Sequence, residues 1–222
     1  VLEKDYAGML VLDPHDEYYG RTGLGLKDHP ASSRVSYYTP VKPPAGARTL
    51  KININKLKPD HFQGATGLTD PQRQCLHVYY KKFGQNWIVS LLKEERIENV
   101  RFHEDTIAVV KRKLITLLGL DFDNGQLTCQ GIFDMVAGEN TITDICQDLE
   151  HGKMVIVDTS YFSGAVEILL GSLITAEIFD KYKYYKRMGQ LDYKPVVSVV
   201  LEEALRVLGK NVLEQGSNIF DT

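Results

Sequence analysis

The stretch from Met154 to Glu203 constrains the fold more than any other part of this chain. MVIVD (154–158) is a short apolar run of strand length, residues 163–187 form one long helical segment, and PVVSVVLEE (195–203) is a second apolar run. Strand, helix and strand in that order imply a right-handed crossover and parallel pairing. MLVLD (9–13) is a further buried strand, broken by Pro14 and His15. The predicted class is therefore α/β, a mostly parallel sheet flanked by helices. In such sheets the working crevice lies at the carboxyl ends of the strands. Asp13, Asp158 and the pair Glu202 and Glu203 each close a predicted strand, so three separate segments deliver acid to one edge.

The rest of the chain divides around that core. Its opening, VLEKDYAG, reads as the last turns of a helix closed near Gly8, and SNIFDT at its end falls inside what reads as another helix; the chain is expected to be a piece of a longer protein. A loop through RTGLGLKDHPASS leads to a short strand, RVSYY (34–38). The proline-rich YTPVKPPAG then precedes an alternating strand, KININ (51–55). Residues 56–150 are predicted to be helical, with Asp70 as N-cap and Pro71 at the first helical position. A second helix is expected over QNWIVSLLKEER (85–96). A third runs from His103 to Leu118, with Ile107, Val110, Leu114 and Leu117 on one face and Gly119 as its stop, and a short helix closes at Gly152. This middle segment is read as a helical insertion between two parts of one core, 1–55 and 151–222.

Composition excludes several classes. Across 222 residues the formal net charge is −3, so the molecule is not a polycation of the kind that coats nucleic acid, and any such contact must be local. Three cysteines (Cys75, Cys129, Cys146) lie far apart with no CxxC pair, which fits reduced thiols and argues against zinc. No apolar run is long enough to span a bilayer, and a cytoplasmic protein without membrane contact is expected.

Two adjacent acids after an apolar strand form the pattern used by nucleoside-triphosphate hydrolases, where the first serves the magnesium shell and the second orients or deprotonates the attacking water. The plainer alternative is a strand that surfaces and caps the next helix with its acids. The loop that would decide, GxxxxGK[ST], is absent from these residues: Gly152-Lys153 is followed by Met154 and Gly209-Lys210 by Asn211, while GLGLK (23–27) reads as a flexible turn. In a P-loop domain that loop joins the first strand to a helix and would lie upstream of Val1. Asp158, with Thr159 and Ser160, could position water or metal, but capping of the following helix is the favoured reading. DPHDEYYG (13–20) is either an aspartate-proline turn or a carboxylate and imidazole beside a phosphate. KYKYYKR (181–187) places Lys181, Lys183, Lys186 and Arg187 at a helix end, where cations complement the helix dipole or grip backbone phosphate. Other classes remain open: a metal-dependent nuclease or phosphohydrolase using Asp13, Asp158 and Glu202, and a non-catalytic assembly piece whose helical insertion binds a partner.

The order VLDPHDEYYG, helical insertion, MVIVDTS, long helix and PVVSVVLEEALRVLG closely resembles the archaeal HerA proteins, hexameric ATPases related to the FtsK DNA pumps, over nearly the whole chain. The resemblance implies a RecA-like P-loop NTPase core of a ring-shaped, double-stranded-DNA translocase. It implies ATP and Mg2+ as cofactors, a homo-hexamer as the assembly, and a NurA-type nuclease as partner in DNA end resection and recombinational repair. Carried over by motif, Glu203 corresponds to the catalytic acid and Glu202 to the magnesium-side acid. Asp13, His15 and Asp158 would border the nucleotide, and Lys181, Lys183, Lys186 and Arg187 would touch DNA. Glutamate stands at 202 where the family usually has aspartate, and Asp16 stands where a glycine usually follows DPH. The family's Walker A segment, arginine finger and N-terminal β-barrel have no counterpart among these residues, so the chain alone is expected neither to bind ATP tightly nor to hydrolyse it. Related ring ATPases that drive conjugation or secretion are the nearest alternative.

Overall fold

In the computed structural model, residues 7–123 and 126–203 are described, and they place β1 (Ala7–Asp13) first, followed by β2 (Val35–Thr39), β3 (Arg48–Thr49) and β4 (Ile52–Asn53). Next come α1 (Asp70–Phe83), α2 (Trp87–Leu92), α3 (Glu104–Leu118), the strands β5 (Leu120–Asp123), β6 (Gln126–Cys129) and β7 (Phe133–Asp134), and α4 (Thr141–Glu150). The sequence of elements ends with β8 (Met154–Asp158), α5 (Gly164–Arg187) and β9 (Val196–Leu201). Five strands form one sheet in the order β3-β2-β8-β1-β9, and every neighbouring pair is parallel. This is an α/β fold consistent with a P-loop NTPase-like core.

The crossover from β8 through α5 to β9 is parallel, as its order requires, but the two strands do not pair with each other. β1 lies between them, with Asp13 in register with Asp158 on one side and Leu12 with Leu201 on the other. The 24 residues of α5 span about 36 Å, ample to step across an intervening strand. The interior strand β8 is apolar on both faces, as burial from two sides demands. Val155 and Val157 join the main core, and Ile156 joins a smaller cluster with Tyr19 and Tyr37 on the opposite face.

The main core is continuous. Leu10 and Leu12 of β1 share it with Trp87 of α2, Leu114 of α3, Leu149 of α4 and Leu169 of α5, so the helical segment packs into the same cluster as the sheet. The buried Trp87 indole donates to the Leu57 carbonyl at 2.8 Å, which satisfies its one polar atom. Among the described residues no helix is long and apolar enough to cross a membrane.

Several local expectations shift. Gly8 lies inside β1 rather than closing a helix, and glycine is required there because a Cβ would come 2.3 Å from the Leu149 carbonyl oxygen at the end of α4. The helix read upstream of it, like the one read over SNIFDT, lies outside the described residues. Thr69 is the N-cap of α1, one residue earlier than expected, with Asp70 as the first helical residue and an ion pair to Arg73. The helix expected over 85–96 is only Trp87–Leu92, because Glu94 adopts a left-handed φ of +55° that ends it. In KININ only Ile52 and Asn53 are extended, pairing in parallel with Phe133 and Asp134 of β7; Ile54–Lys56 then turns, held by Asn53, whose side chain accepts from the Asn55 N–H. The β5–β6 hairpin was not foreseen in the segment read as helical. α3 is as expected: Val110, Leu114 and Leu117 are buried and Gly119 stops it at φ +58°.

Candidate functional site

Parallel pairing brings the acids together. Asp13 and Asp158 are register partners, and because Leu12 pairs with Leu201, Glu202 follows directly on the other flank of Asp13. The carboxyl edge of the sheet thus collects Asp158, Asp13, Glu202 and Glu203 from three strands, with Thr39 at the end of β2 beside them.

The two aspartates are completely buried and serve the fold of this edge. Asp13 accepts from the His15 N–H at 3.2 Å with one oxygen and from the Tyr18 N–H at 3.1 Å with the other, which is the turn-forming reading of DPHDEYYG. Its own carbonyl accepts from the Thr159 N–H at 2.9 Å and so links the two strand ends. Asp158 does not cap α5, whose N-cap is Ser163. It binds the Ser160 N–H at 3.0 Å and the Ser160 hydroxyl at 2.5 Å through one oxygen, and the Thr39 hydroxyl at 2.7 Å through the other. The capping expectation fails because five residues separate the strand end from the helix, and the carboxylate closes its own turn first.

A residue that sequence reasoning missed organises this edge. Arg21 donates to the Val41 carbonyl (3.0 Å), the Tyr37 hydroxyl (3.1 Å) and the Thr39 hydroxyl (2.5 Å), pairs with Asp16 at 2.9 Å and lies 3.6 Å from Asp158. No local pattern marks Arg21, because apart from Asp16 its partners come from distant segments, β2 and its following loop and the end of β8. Burial raises the Tyr37 hydroxyl far above the usual phenol range, with its hydrogen bond to Asp16 adding to the shift. Burial also raises the Asp16 carboxyl, against the opposing effect of the Tyr37 hydrogen bond. Asp16 itself sits at φ +55°, the left-handed region that glycine occupies freely and aspartate tolerates, which accounts for how Asp16 can stand in a glycine position.

Beyond Arg21 the chain crosses itself, so GLGLK is not a flexible turn. Gly20 and Gly25 meet so closely that a Cβ on Gly25 would come 2.4 Å from the Gly20 Cα. The Leu26 N–H donates to the Tyr18 carbonyl at 3.0 Å, the Lys27 ammonium binds the Gly20 carbonyl, and Tyr19 stacks on Tyr37 with ring centres 4.1 Å apart.

The acids after β9 are different in kind: Glu202 is partly exposed and Glu203 about half exposed. Glu202 accepts from the Tyr18 hydroxyl, and Glu203 pairs with the His15 Nε2 at 2.9 Å. The hydrogen bond to Glu203 raises the His15 pKa, and the bond to Glu202 raises that of Tyr18. Carboxylate oxygens are the ligands that magnesium prefers, so this pair suits a Mg2+-nucleotide, whereas Asp13 and Asp158 have both oxygens committed to the protein. Among the described residues no group of three or more His, Cys, Asp or Glu is arranged to hold a metal ion by itself. Asp13 and Asp158 could ligate a metal together with Glu202 only by sharing oxygens that already accept from His15, Tyr18, Thr39 and Ser160.

The basic run lies elsewhere. α5 leaves the acid edge and runs back along the sheet; its Tyr182 hydroxyl donates to the Pro195 carbonyl (2.6 Å) just before β9 begins, so the last turn projects at the amino ends of the strands. Lys181 pairs with Glu150 at 3.3 Å, and Lys183 lies 3.9 Å from Asp180 and over the Phe179 ring. Tyr185 also binds Glu150, at 3.1 Å. Lys186 and Arg187 are exposed. The basic run thus lies at the opposite end of the strands from the acids, with Lys181 turned to Glu150 of α4 and Lys183, Lys186 and Arg187 exposed.

The sequence profile described as the central domain of helicase HerA matches residues 1–178. The chain belongs to the HerA family. HerA proteins are ring-forming ATPases that use nucleotide and Mg2+. The HerA match takes in Asp13, His15, Arg21 and Asp158 and ends inside α5, before the basic run and before Glu202 and Glu203. A comparison with curated proteins finds no match.

Proposed function

We propose that this HerA domain is the ATP-hydrolysing core of a double-stranded-DNA translocase or helicase of archaeal type, working as a homo-hexamer with a NurA-type nuclease in DNA end resection and recombinational repair. The observation that carries the reading is the parallel register that sets Glu202 and Glu203 beside the buried Asp13–Asp158 pair, at the edge where α/β folds place their ligands. Glu203 takes the proton of the attacking water or holds it in line, and Glu202 lies on the magnesium side. Asp13 and Asp158 shape the edge, and His15 borders it. Bound ATP with Mg2+ supplies the phosphoryl group and the cation that neutralises its charge. Phosphate grip on the duplex comes from Lys181, Lys183, Lys186 and Arg187, without base reading.

The test is ATP turnover by the intact ring with and without duplex DNA. Glu203→Gln should reduce kcat by about a hundredfold or more while nucleotide binding persists. DNA-independent turnover would favour the related ring ATPases of conjugation or secretion, and unchanged turnover in Glu203→Gln would refute the assignment of the base. The 222-residue chain alone, which contains no GxxxxGK[ST], should show no turnover.

A further inference from the structure

Both acids after β9 are tethered to one turn, and to successive partners in it: Glu203 to His15 and Glu202 to Tyr18. The tethers cross from β9 to the turn after β1, between residues 184 apart in the case of Tyr18 and Glu202. That turn is itself firmly built. Buried Asp13 holds the backbone N–H groups of the same two residues, His15 and Tyr18, and Arg21 and the Tyr19–Tyr37 stack anchor the chain just beyond. Glu203, by contrast, lies two residues beyond the end of the edge strand β9, at a left-handed φ of +44°. A base on a flexible arm must be held to within about half an ångström to act efficiently. The hydrogen-bonded turn, through His15, supplies such a hold on Glu203.

We infer that His15 is a positioning residue for Glu203, and Tyr18 for Glu202, so that the turn after β1 sets the aim of both acids. The inference rests on the roles proposed for those acids. Nε2–H donates in the corresponding neutral tautomer and in the imidazolium alike, so the hydrogen bond can form in either state, and the charged ring strengthens it. The side chains of His15 and Glu203 are 45% and 49% exposed, and an ion pair so open to water contributes little to stability. Its removal should therefore change turnover without unfolding the domain, which separates positioning from a structural role.

The experiment compares His15→Ala, His15→Gln and Tyr18→Phe with Glu203→Gln in the intact ring, measuring kcat and KM for ATP, the Mg2+ dependence of turnover, and the thermal midpoint. His15→Ala should lower kcat by about ten- to a hundredfold with KM and midpoint unchanged, the scale of loss expected when a reacting group is misplaced by an ångström. His15→Gln, which keeps an N–H donor on a side chain of similar reach, should recover most of it. Tyr18→Phe should raise the Mg2+ concentration needed for half-maximal turnover. Full turnover in His15→Ala, no recovery in His15→Gln, an unmoved Mg2+ dependence in Tyr18→Phe, or a midpoint that falls together with kcat would overturn the positioning role while Glu203→Gln remains inactive. Wild-type turnover in Glu203→Gln would instead overturn the assignment of the base, and this inference with it.

Discussion

Asp13 and Asp158 are register partners at the carboxyl ends of β1 and β8, and both are completely buried. Two adjacent buried carboxylates persist only when each is supplied with donors. Asp13 is met by backbone N–H groups of its own turn. Asp158 is met by hydroxyls of Thr39 and Ser160, with the Arg21 guanidinium 3.6 Å away. This pair joins the ends of three strands and carries the loop that holds His15 and Tyr18.

Asp158→Ala should therefore cost about 3 kcal/mol of stability, because it leaves a buried hydroxyl and a backbone N–H without their acceptor. Asp158→Asn should cost less, since its amide oxygen can still accept. Urea unfolding of both variants checks this, and a loss below about 1 kcal/mol in the alanine variant would contradict it.

Arg21 should not be replaceable by lysine. One guanidinium bridges the Val41 carbonyl and the hydroxyls of Tyr37 and Thr39 while pairing with Asp16, and an ammonium cannot reproduce that planar fork. Arg21→Lys and Arg21→Ala should each lose about 1–3 kcal/mol and expose residues 14–28 to faster amide exchange. Wild-type protection in Arg21→Lys would show that charge alone suffices.

His61 provides a pH signature away from the edge. It is buried, its Nδ1 accepts from the Lys58 N–H at 3.0 Å, and burial, aided by the Lys58 charge, lowers its pKa from 6.5 to about 4. The charges of Asp60 and Asp180 oppose this shift. Between those values the unfolded chain binds the proton and the folded one does not. The stability that His61 contributes is thus fully present above about pH 6.5 and is lost as pH falls towards 4, by up to about 3 kcal/mol. His61→Gln should flatten this part of the stability–pH curve, and an unchanged slope would remove His61 as its cause.

Lys186 and Arg187 should dominate any DNA contact of the basic run, because Lys181 and Lys183 already have acidic partners. Replacing both by alanine should weaken duplex binding equally across sequences and reduce the slope of log affinity against log salt by about 2. Doing the same to Lys181 and Lys183 should have less effect. Equal salt slopes before and after the first pair of changes would place the DNA surface elsewhere.

The family match and the edge geometry cover different residues. The match reaches residue 178 and so includes the turn, Arg21 and Asp158, while Glu202 and Glu203 lie beyond it and are placed by the register of β9 on β1 and by their contacts with Tyr18 and His15. Strand register is what joins the part with a family assignment to the part that bears the proposed base.

What could be read from sequence was local. MLVLD, MVIVD and the valine-rich run before Glu202 announce buried strands, and the apolar face of α3 with Gly119 announces a helix and its stop, because side-chain periodicity and end signals act over a few residues. The β5–β6 hairpin also had a local signal, Asn124-Gly125 between LDFD and QLTC, which was outweighed by the helical character of the surrounding segment.

The remaining features depended on long-range contacts. Composition and order made the class α/β, but nothing near β8 or β9 says that β1 lies between them. That follows from pairing between segments more than 140 residues apart, which decides which apolar faces are covered. Arg21 gained its role only when three strand ends converged, and the basic run proved to lie far from the acids because α5 runs back along the sheet. The chain's own pattern determined which residues are strand, helix and acid; tertiary packing decided which of them meet, since hydrogen bonding and burial act between neighbours in space wherever they lie in sequence.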